Sequence, residues 1–304
     1  MMYGYFIYNL YFYISNITDA MKVTKALITA ASPDQRKLPL QTLIDRKRIK
    51  KTVLEILIEE IVAVGISRIG IVIHPDDENI FRSTLKEYTR MVEFIPQDDP
   101  RGYGHAILCG APFLQDEPFL HLVGDHLYVN QSGENVARLV LDTAQKNGCS
   151  VSVVQQTRET QISNYGTIGA ERVQGQEHLF RITRVIEKPV PSYAEQHLLV
   201  PGLRTGHYFC FFGMHVCSPV ILELLRKRMQ EFPDQKLGLS ESLNELSRTN
   251  KYLALERNDL RFDIGQDYGL LKAQIALSLT GMDRELLMGE LLQFFIEREK
   301  NTNH

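Results

Sequence analysis

Short apolar runs alternate with helix-length amphipathic stretches through the first half of this chain, and that rhythm restricts the fold more than any other feature. The segments 22–31 and 68–74 are apolar nearly throughout, as strands buried on both faces must be. Between them, Val53, Leu57, Ile61 and Val64 form the inner stripe of a helix predicted over 50–65. Glu55, Glu59 and Glu60 fall on its outer side, and Gly65 stands where a C-cap glycine belongs. Further strands are predicted at 91–96, 118–124 and 149–157, with helices beginning near Asp76 and covering 104–113 and 134–147. Strands and helices in this alternation predict a parallel α/β sheet joined by right-handed crossovers.

The second half changes character. Segments 165–170, 179–187 and 207–213 read as strands with no long helix between them, as in an inserted or appended antiparallel layer. Helices return at 218–230, 240–249, 267–280 and 284–298. No proline- or serine-rich linker divides the sequence after residue 20, so 21–304 reads as a single domain ending in C-terminal helices. The first twenty residues differ from the rest: rich in tyrosine and aliphatics, without Lys or Arg, and interrupted by Asn9, Ser15, Asn16, Thr18 and Asp19. They suit neither a secretory signal nor a membrane span. Met21 then opens the first strand, so 1–20 reads as a leader outside the fold.

Composition narrows the partners. A hydrophobic fraction of 44% supplies a sizeable core, and a net charge of -3 offers no basic excess for a nucleic-acid backbone. No membrane partner is expected, and the sequence leaves homo-oligomer formation open. Cys109, Cys149, Cys210 and Cys217 form no CxxC pair and read as free thiols of a reducing cytoplasm.

In open α/β sheets ligands bind beyond the carboxyl ends of the strands, which directs attention to the loops after Ala31, Pro96, Gly124 and Thr157. The first of these runs from Ala30 and Ala31 through Ser32 to Arg36 and Lys37, a strand-to-helix loop with positive charge for a phosphate. An ordinary polar turn has the same composition. Gln97 ends a strand and is followed by Gly102-Tyr103-Gly104-His105-Ala106. Its amide suits a nucleobase edge, and the glycines permit close backbone approach. The spacing is not the GxGxxG dinucleotide fingerprint, which weighs against a dinucleotide-dependent oxidoreductase.

The buried run predicted at 118–124 ends in Gly124 and is followed by Asp125, and Asp263 follows a second apolar run before Gly265. A carboxylate so placed is costly to desolvate unless it is paired or binds a cation, which makes the two aspartates candidate magnesium ligands. Strand alternation argues against His121, Asp125 and His126 gathering on zinc. Glu187-Lys188-Pro189 offers a carboxylate for sugar hydroxyls and an ammonium for a phosphate, although a surface ion pair reads the same way.

In this order the segments resemble the bacterial UTP–glucose-1-phosphate uridylyltransferases and their sugar-phosphate nucleotidyltransferase relatives, from about Lys22 to Ala276. The resemblance implies a Rossmann-like mixed, mainly parallel sheet with helices on both faces and a small antiparallel sugar-binding layer. It implies nucleotide binding by Ala30, Ala31, Gln97, Gly102 and Gly124, and sugar binding by Gly166 and Glu187. Catalytic roles fall to Arg36 and Lys188, and Mg2+ ligation to Asp125 and Asp263. The partners implied are a nucleoside triphosphate, UTP foremost, and a hexose 1-phosphate, glucose 1-phosphate foremost, with pyrophosphate leaving. The sequence departs from the family in the first loop. Ser32 and Asp34 stand at its glycine positions, Gln35 replaces a threonine, and its Pro-Lys segment is missing. A second reading follows from that loop: a catalytically weak homologue that binds a sugar nucleotide as a sensor or partner subunit.

Overall fold

The computed structural model describes residues 21–33, 36–130 and 133–302. The leader 1–20, together with Asp34 and Gln35, lies outside the described residues. In chain order the strands are β1 (Lys25–Thr29), β2 (Thr42–Ile44), β3 (Lys50–Thr52), β4 (Arg68–Ile73), β5 (Val92–Pro96), β6 (Phe119–Val123) and β7 (His126–Val129). They continue with β8 (Ser150–Arg158), β9 (Gly166–Arg172), β10 (Leu179–Glu187), β11 (His207–Cys217), β12 (Tyr252–Glu256) and β13 (Leu260–Asp263).

Among the described residues, nine of these form one sheet in the order β5-β4-β1-β6-β11-β8-β12-β10-β9. β5, β4, β1 and β6 run parallel to one another, as the helix-strand alternation predicts. Beyond them β11 lies antiparallel to both β6 and β8, β12 runs parallel to β8, and β10 and β9 close the edge antiparallel. The expected antiparallel layer is therefore the other half of the same sheet. Only the short link 173–178 joins β9 to β10, too little chain for a helical crossover, so these two strands pair antiparallel.

Both faces are covered. Along β1 the side chains alternate between two cores, Ala26 and Ile28 in one and Leu27 in the other. The helix Val53–Ala63 seals the first with Leu54, Leu57, Ile58 and Ile61, all fully buried. Each such side chain contributes at most about 1.5–3 kcal/mol. This helix begins later than the spacing predicts, because Lys50–Thr52 pairs with Thr42–Ile44. Thr52 then forms a capping box with Glu55, each satisfying the other's backbone N–H. On the opposite face lie the helices Tyr103–Cys109 and Val220–Glu231, the latter through Ile221, Leu222 and Leu225. The predicted helix over 104–113 is two pieces, Tyr103–Cys109 and Ala111–Leu114, joined at Gly110.

The parallel registers align the strand ends that matter: Thr29 stands opposite Val123 and Val72, and Ile73 opposite Pro96. The loops leaving β1, β5 and β6 thus open on one rim of the sheet. Among the described residues no helix is long and apolar enough to cross a membrane.

Candidate active site

A cleft of about 520 Å³ opens on that rim. Its walls include Ala30 and Ala31 from the end of β1, Gln97 and Gly102 from the loop after β5, and Asp125, Glu187, Lys188 and Asp263. Segments far apart in sequence meet here because β6, β10 and the β7–β13 ribbon all end at this rim.

On the first wall, Gln97 is buried and its amide nitrogen donates to His105 Nδ1 at 3.0 Å and approaches the Gly102 carbonyl at 3.4 Å. That leaves Oε1 as an amide acceptor without a partner among the described residues. Gly102 needs its missing side chain on two counts: its φ is +111, and a Cβ would stand 2.5 Å from the Leu237 carbonyl oxygen. Gly124 is held as closely, its N–H donating to the Thr29 carbonyl at 2.9 Å where a Cβ would clash. The Thr29 hydroxyl beside it is buried with no hydrogen-bond partner among the described residues. Such an orphan at a cleft wall is expected where a ligand supplies the missing bond.

Beneath this wall runs a buried polar chain. Tyr103, which lines the cleft, bonds through its hydroxyl to His121 Nε2 at 2.6 Å, and His121 Nδ1 meets the Leu27 carbonyl at 2.9 Å. A carbonyl only accepts, so Nδ1 carries the proton and Nε2 accepts from Tyr103. His215 stacks on His121 with ring centroids 6.0 Å apart and bonds to Ser152 Oγ at 2.5 Å. Burial lowers the imidazole of His121 to about 4, and burial with its histidine neighbours lowers that of His215 to about 3. Both rings are neutral in the folded protein at neutral pH.

The metal candidates converge. Ligand atoms of Asp125, His126 and Asp263 lie within 4.8 Å of one another. β13 pairs antiparallel with β7, which sets Asp263 opposite His126, and the Ile264 N–H donates to the Asp125 carbonyl at 2.9 Å. His126 Nδ1 stands 3.0 Å from Asp125 Oδ1, so the imidazole orients that carboxylate. The alternation argument fails for His126 because Asp125 lies in the turn between β6 and β7, outside either strand. His121 is absent from the group, committed instead to Leu27 and Tyr103. Two carboxylates in one corner of a polar cleft suit an oxygen-seeking divalent cation that completes its shell with ligand oxygens.

Across the cleft, β10 pairs with β9 so that Glu187 faces Gly166. A Cβ on Gly166 would stand 3.1 Å from Glu187 Oε2, so only glycine leaves that carboxylate where it is. Ser240 Oγ donates to the same oxygen at 2.5 Å. Lys188 follows with φ +45, a left-handed backbone that costs a non-glycine residue of order 1–3 kcal/mol. Arg36 is not brought to the cleft wall. Its Nε lies 3.2 Å from Asp77 Oδ2, an ion pair by distance without hydrogen-bond alignment, since that oxygen has no hydrogen-bond partner among the described residues.

A model of the family described as "Nucleotidyl transferase" matches residues 44–278 of this sequence. The chain belongs to the nucleotidyl transferase family. A UTP–glucose-1-phosphate uridylyltransferase of Pseudomonas aeruginosa is 25% identical over 283 residues, covering 83% of this chain and 94% of its own. One of Bacillus subtilis is 27% identical over 304 residues, covering 91% of this chain and 97% of its own. Among solved structures, the UTP-bound UGPase of Acinetobacter baumannii superposes with a TM-score of 0.70 at 20% identity, over 90% of this chain and 99% of its own. A UDP-glucose pyrophosphorylase complexed with UDP-glucose gives 0.67 at 21% identity, over 84% and 98%. At such identities the structural likeness speaks to the nucleotidyltransferase fold alone.

This nucleotidyl transferase also lines its cleft with Thr29, Tyr103, Asn164 and Lys236, to which sequence reasoning gave no role, and with His126, which was weighed only as a zinc ligand. Tyr103 stands between the two glycines already singled out, so position alone could have raised it. Lys236 lies in Phe232-Pro-Asp-Gln-Lys-Leu-Gly, a polar loop between helices that carries no strand-end signal.

Proposed function

We propose that this nucleotidyl transferase joins UTP to glucose 1-phosphate, releasing pyrophosphate and forming UDP-glucose. The observation that carries the reading is the convergence of Asp125 and Asp263 in a cleft lined on one side by Gln97 and Gly102 and on the other by Glu187 and Lys188. The relatives named uridylyltransferases, aligned over most of this chain, support it.

The roles follow from the chemistry of each group. Gln97 Oε1, its amide nitrogen already committed, accepts a hydrogen bond from the N3–H of uracil. Glu187, steadied by Ser240, accepts from sugar hydroxyls beside Gly166. Lys188 binds a phosphate of the sugar nucleotide. Asp125 and Asp263 hold Mg2+, with His126 orienting the first; the bound ion supplies neutralisation of phosphate charge. An oxygen of the sugar phosphate attacks the α-phosphorus of UTP, the bond to the β-phosphate bridging oxygen breaks, and pyrophosphate carries away the electron pair. The attacking oxygen is already anionic, so no general base is needed, and positioning with charge neutralisation does the catalysis. Residues 21–304 act as one domain in this reading, and the leader 1–20 is dispensable for it. Four free cysteines fit a reducing cytoplasm.

The deciding experiment is pyrophosphate release with glucose 1-phosphate and magnesium, across the four common nucleoside triphosphates, on the full chain and on one starting at Met21. Turnover with UTP well above the others is expected from both. The pairing of Arg36 with Asp77, away from the cleft wall, favours one competing reading, a weak homologue that binds sugar nucleotide without turning it over. UDP-glucose binding with no pyrophosphate release from any triphosphate decides for that reading. Neither binding nor release refutes both.

A further inference from the structure

The cations of the cleft are fewer than its chemistry demands. Among the described lining residues the only lysines or arginines are Lys188 and Lys236, against the carboxylates of Asp125, Glu187 and Asp263. Each phosphate monoester brings about -1.5 to -2 charges at neutral pH. Arg36 is engaged by Asp77, and Lys51 by Asp45 and Glu59. Lys236 is exposed and has no ion-pair or hydrogen-bond partner among the described residues. Lys236 thus lines a cleft with three carboxylates and forms an ion pair with none of them.

That loop is fastened at two sides. The Leu237 N–H donates to the Arg101 carbonyl at 2.7 Å, and the Gly104 N–H donates to the Leu237 carbonyl at 2.9 Å. The Arg101 guanidinium donates to the Pro233 carbonyl. Gly104 packs so closely that a Cβ would stand 2.5 Å from the Gly238 carbonyl oxygen. Four residues beyond Lys236, Ser240 is bonded to Glu187 on the other wall. The backbone of Lys236 therefore spans the seam between the Gln97–Gly102 wall and the Glu187 wall. A ligand with a base against the first and a sugar against the second passes its phosphates across that seam.

We propose that Lys236 is a phosphate-binding residue of the cleft, which with Lys188 grips the anionic centre of the substrate from the loop over 232–239. The assignment of a base and a sugar to the two walls rests on the uridylyltransferase reading; the demand for a phosphate does not. A charge-assisted bond to phosphate in such a cleft corresponds to roughly ten- to a hundredfold in affinity.

Isothermal titration calorimetry on the full chain with magnesium tests it, using UTP, inorganic pyrophosphate and uridine on wild type, Lys236→Ala and Lys236→Arg. The expected result is that Lys236→Ala loses about ten- to a hundredfold for UTP and pyrophosphate. It should bind uridine as wild type does, and Lys236→Arg should recover most of the loss. Melting temperature should not move, because the side chain has no partner among the described residues to lose. UTP and pyrophosphate affinities within twofold of wild type in Lys236→Ala overturn the proposal, as does an equal loss for uridine. A wild type that binds pyrophosphate but no uridine compound sinks the uridylyltransferase reading, while Lys236 is still judged on pyrophosphate. A wild type that binds neither UTP nor pyrophosphate overturns both.

Discussion

Replacing Gly102 by alanine strikes the point where the Gln97–Gly102 wall and the loop over 232–239 are pressed together, and its cost can be built from two parts. The first is conformational: at φ +111 an L-residue is strained by of order 1–3 kcal/mol. The second is steric. The new Cβ would lie 2.5 Å from the Leu237 oxygen and 3.1 Å from the Leu237 carbon and nitrogen, all backbone atoms that cannot swing aside. Relief requires moving the carbonyl that accepts from Gly104, which forfeits roughly 0.5–1.5 kcal/mol of hydrogen bonding. Together these give about 1.5–4.5 kcal/mol, or a fall in Tm of roughly 2–7 °C for a chain of this size. Two companions separate the parts. Gly65→Ala shares a positive φ, +89, but meets nothing within 4 Å, so it reports strain alone. Gly104→Ala has no such φ yet would put its Cβ 2.5 Å from the Gly238 oxygen, so it reports the clash. Calorimetry gives the three melting temperatures, and steady-state kinetics should show KM for the nucleotide rising more than KM for the sugar phosphate in Gly102→Ala. A Gly102→Ala protein melting within about 1 °C of wild type would refute the reasoning.

Asp125→Ala should lower turnover at least about 100-fold, equivalent to roughly 2.7 kcal/mol of barrier; near-normal turnover with the same magnesium requirement would remove Asp125 from the metal site. Lys188→Ala should weaken UDP-glucose binding by roughly ten- to a hundredfold. Lys188→Gly, measured the same way, should lose as much affinity yet melt no lower than Lys188→Ala, because glycine tolerates φ +45. The buried histidines make stability depend on pH. Their folded values of about 4 and about 3 lie below the ordinary 6.5, so as pH falls below 6.5 the unfolded chain takes up protons that the folded one refuses. Urea-unfolding stability should therefore drop between pH 6.5 and 4, and His215→Leu should flatten that slope; an unchanged slope would argue that the ring is solvated.

The parallel half was legible because β1, β4 and β6 are buried on both faces and so carry nearly unbroken apolar runs, the simplest pattern to read. The start of the first long helix was misplaced although Thr52 and Glu55 spell a capping box, because Lys50–Thr52 continues the same polar-apolar rhythm. β12 escaped notice: Tyr252–Glu256 is five residues long and gains its place only by inserting between β8 and β10. Asp125 and Asp263 could each be singled out locally as a carboxylate after an apolar run. Their approach depends on β7 pairing with β13, a long-range event with no local signature. Charge was a poor guide to position: Arg36 read as a phosphate ligand and pairs with Asp77, whereas Lys236, which no local pattern singled out, lines the cleft.

The sheet order also dictates how the chain must assemble as it leaves the ribosome. β6 gains β1 on one side early, but its other neighbour, β11, is not made until His207–Cys217 has been synthesised. At 5–20 residues per second the outer edge of β6 therefore stays open for several seconds or more. That edge belongs to Phe-Leu-His-Leu-Val, a short apolar segment of the kind that pairs with any unprotected strand nearby. His121 at its centre, neutral and buried once folded, is in the nascent chain an ordinary imidazole able to carry charge. The same late insertion of β11 and β12 makes the contacts closing the middle of the sheet strongly non-local, which slows folding. Soluble yield should thus depend on temperature and chaperone supply more steeply than native stability does.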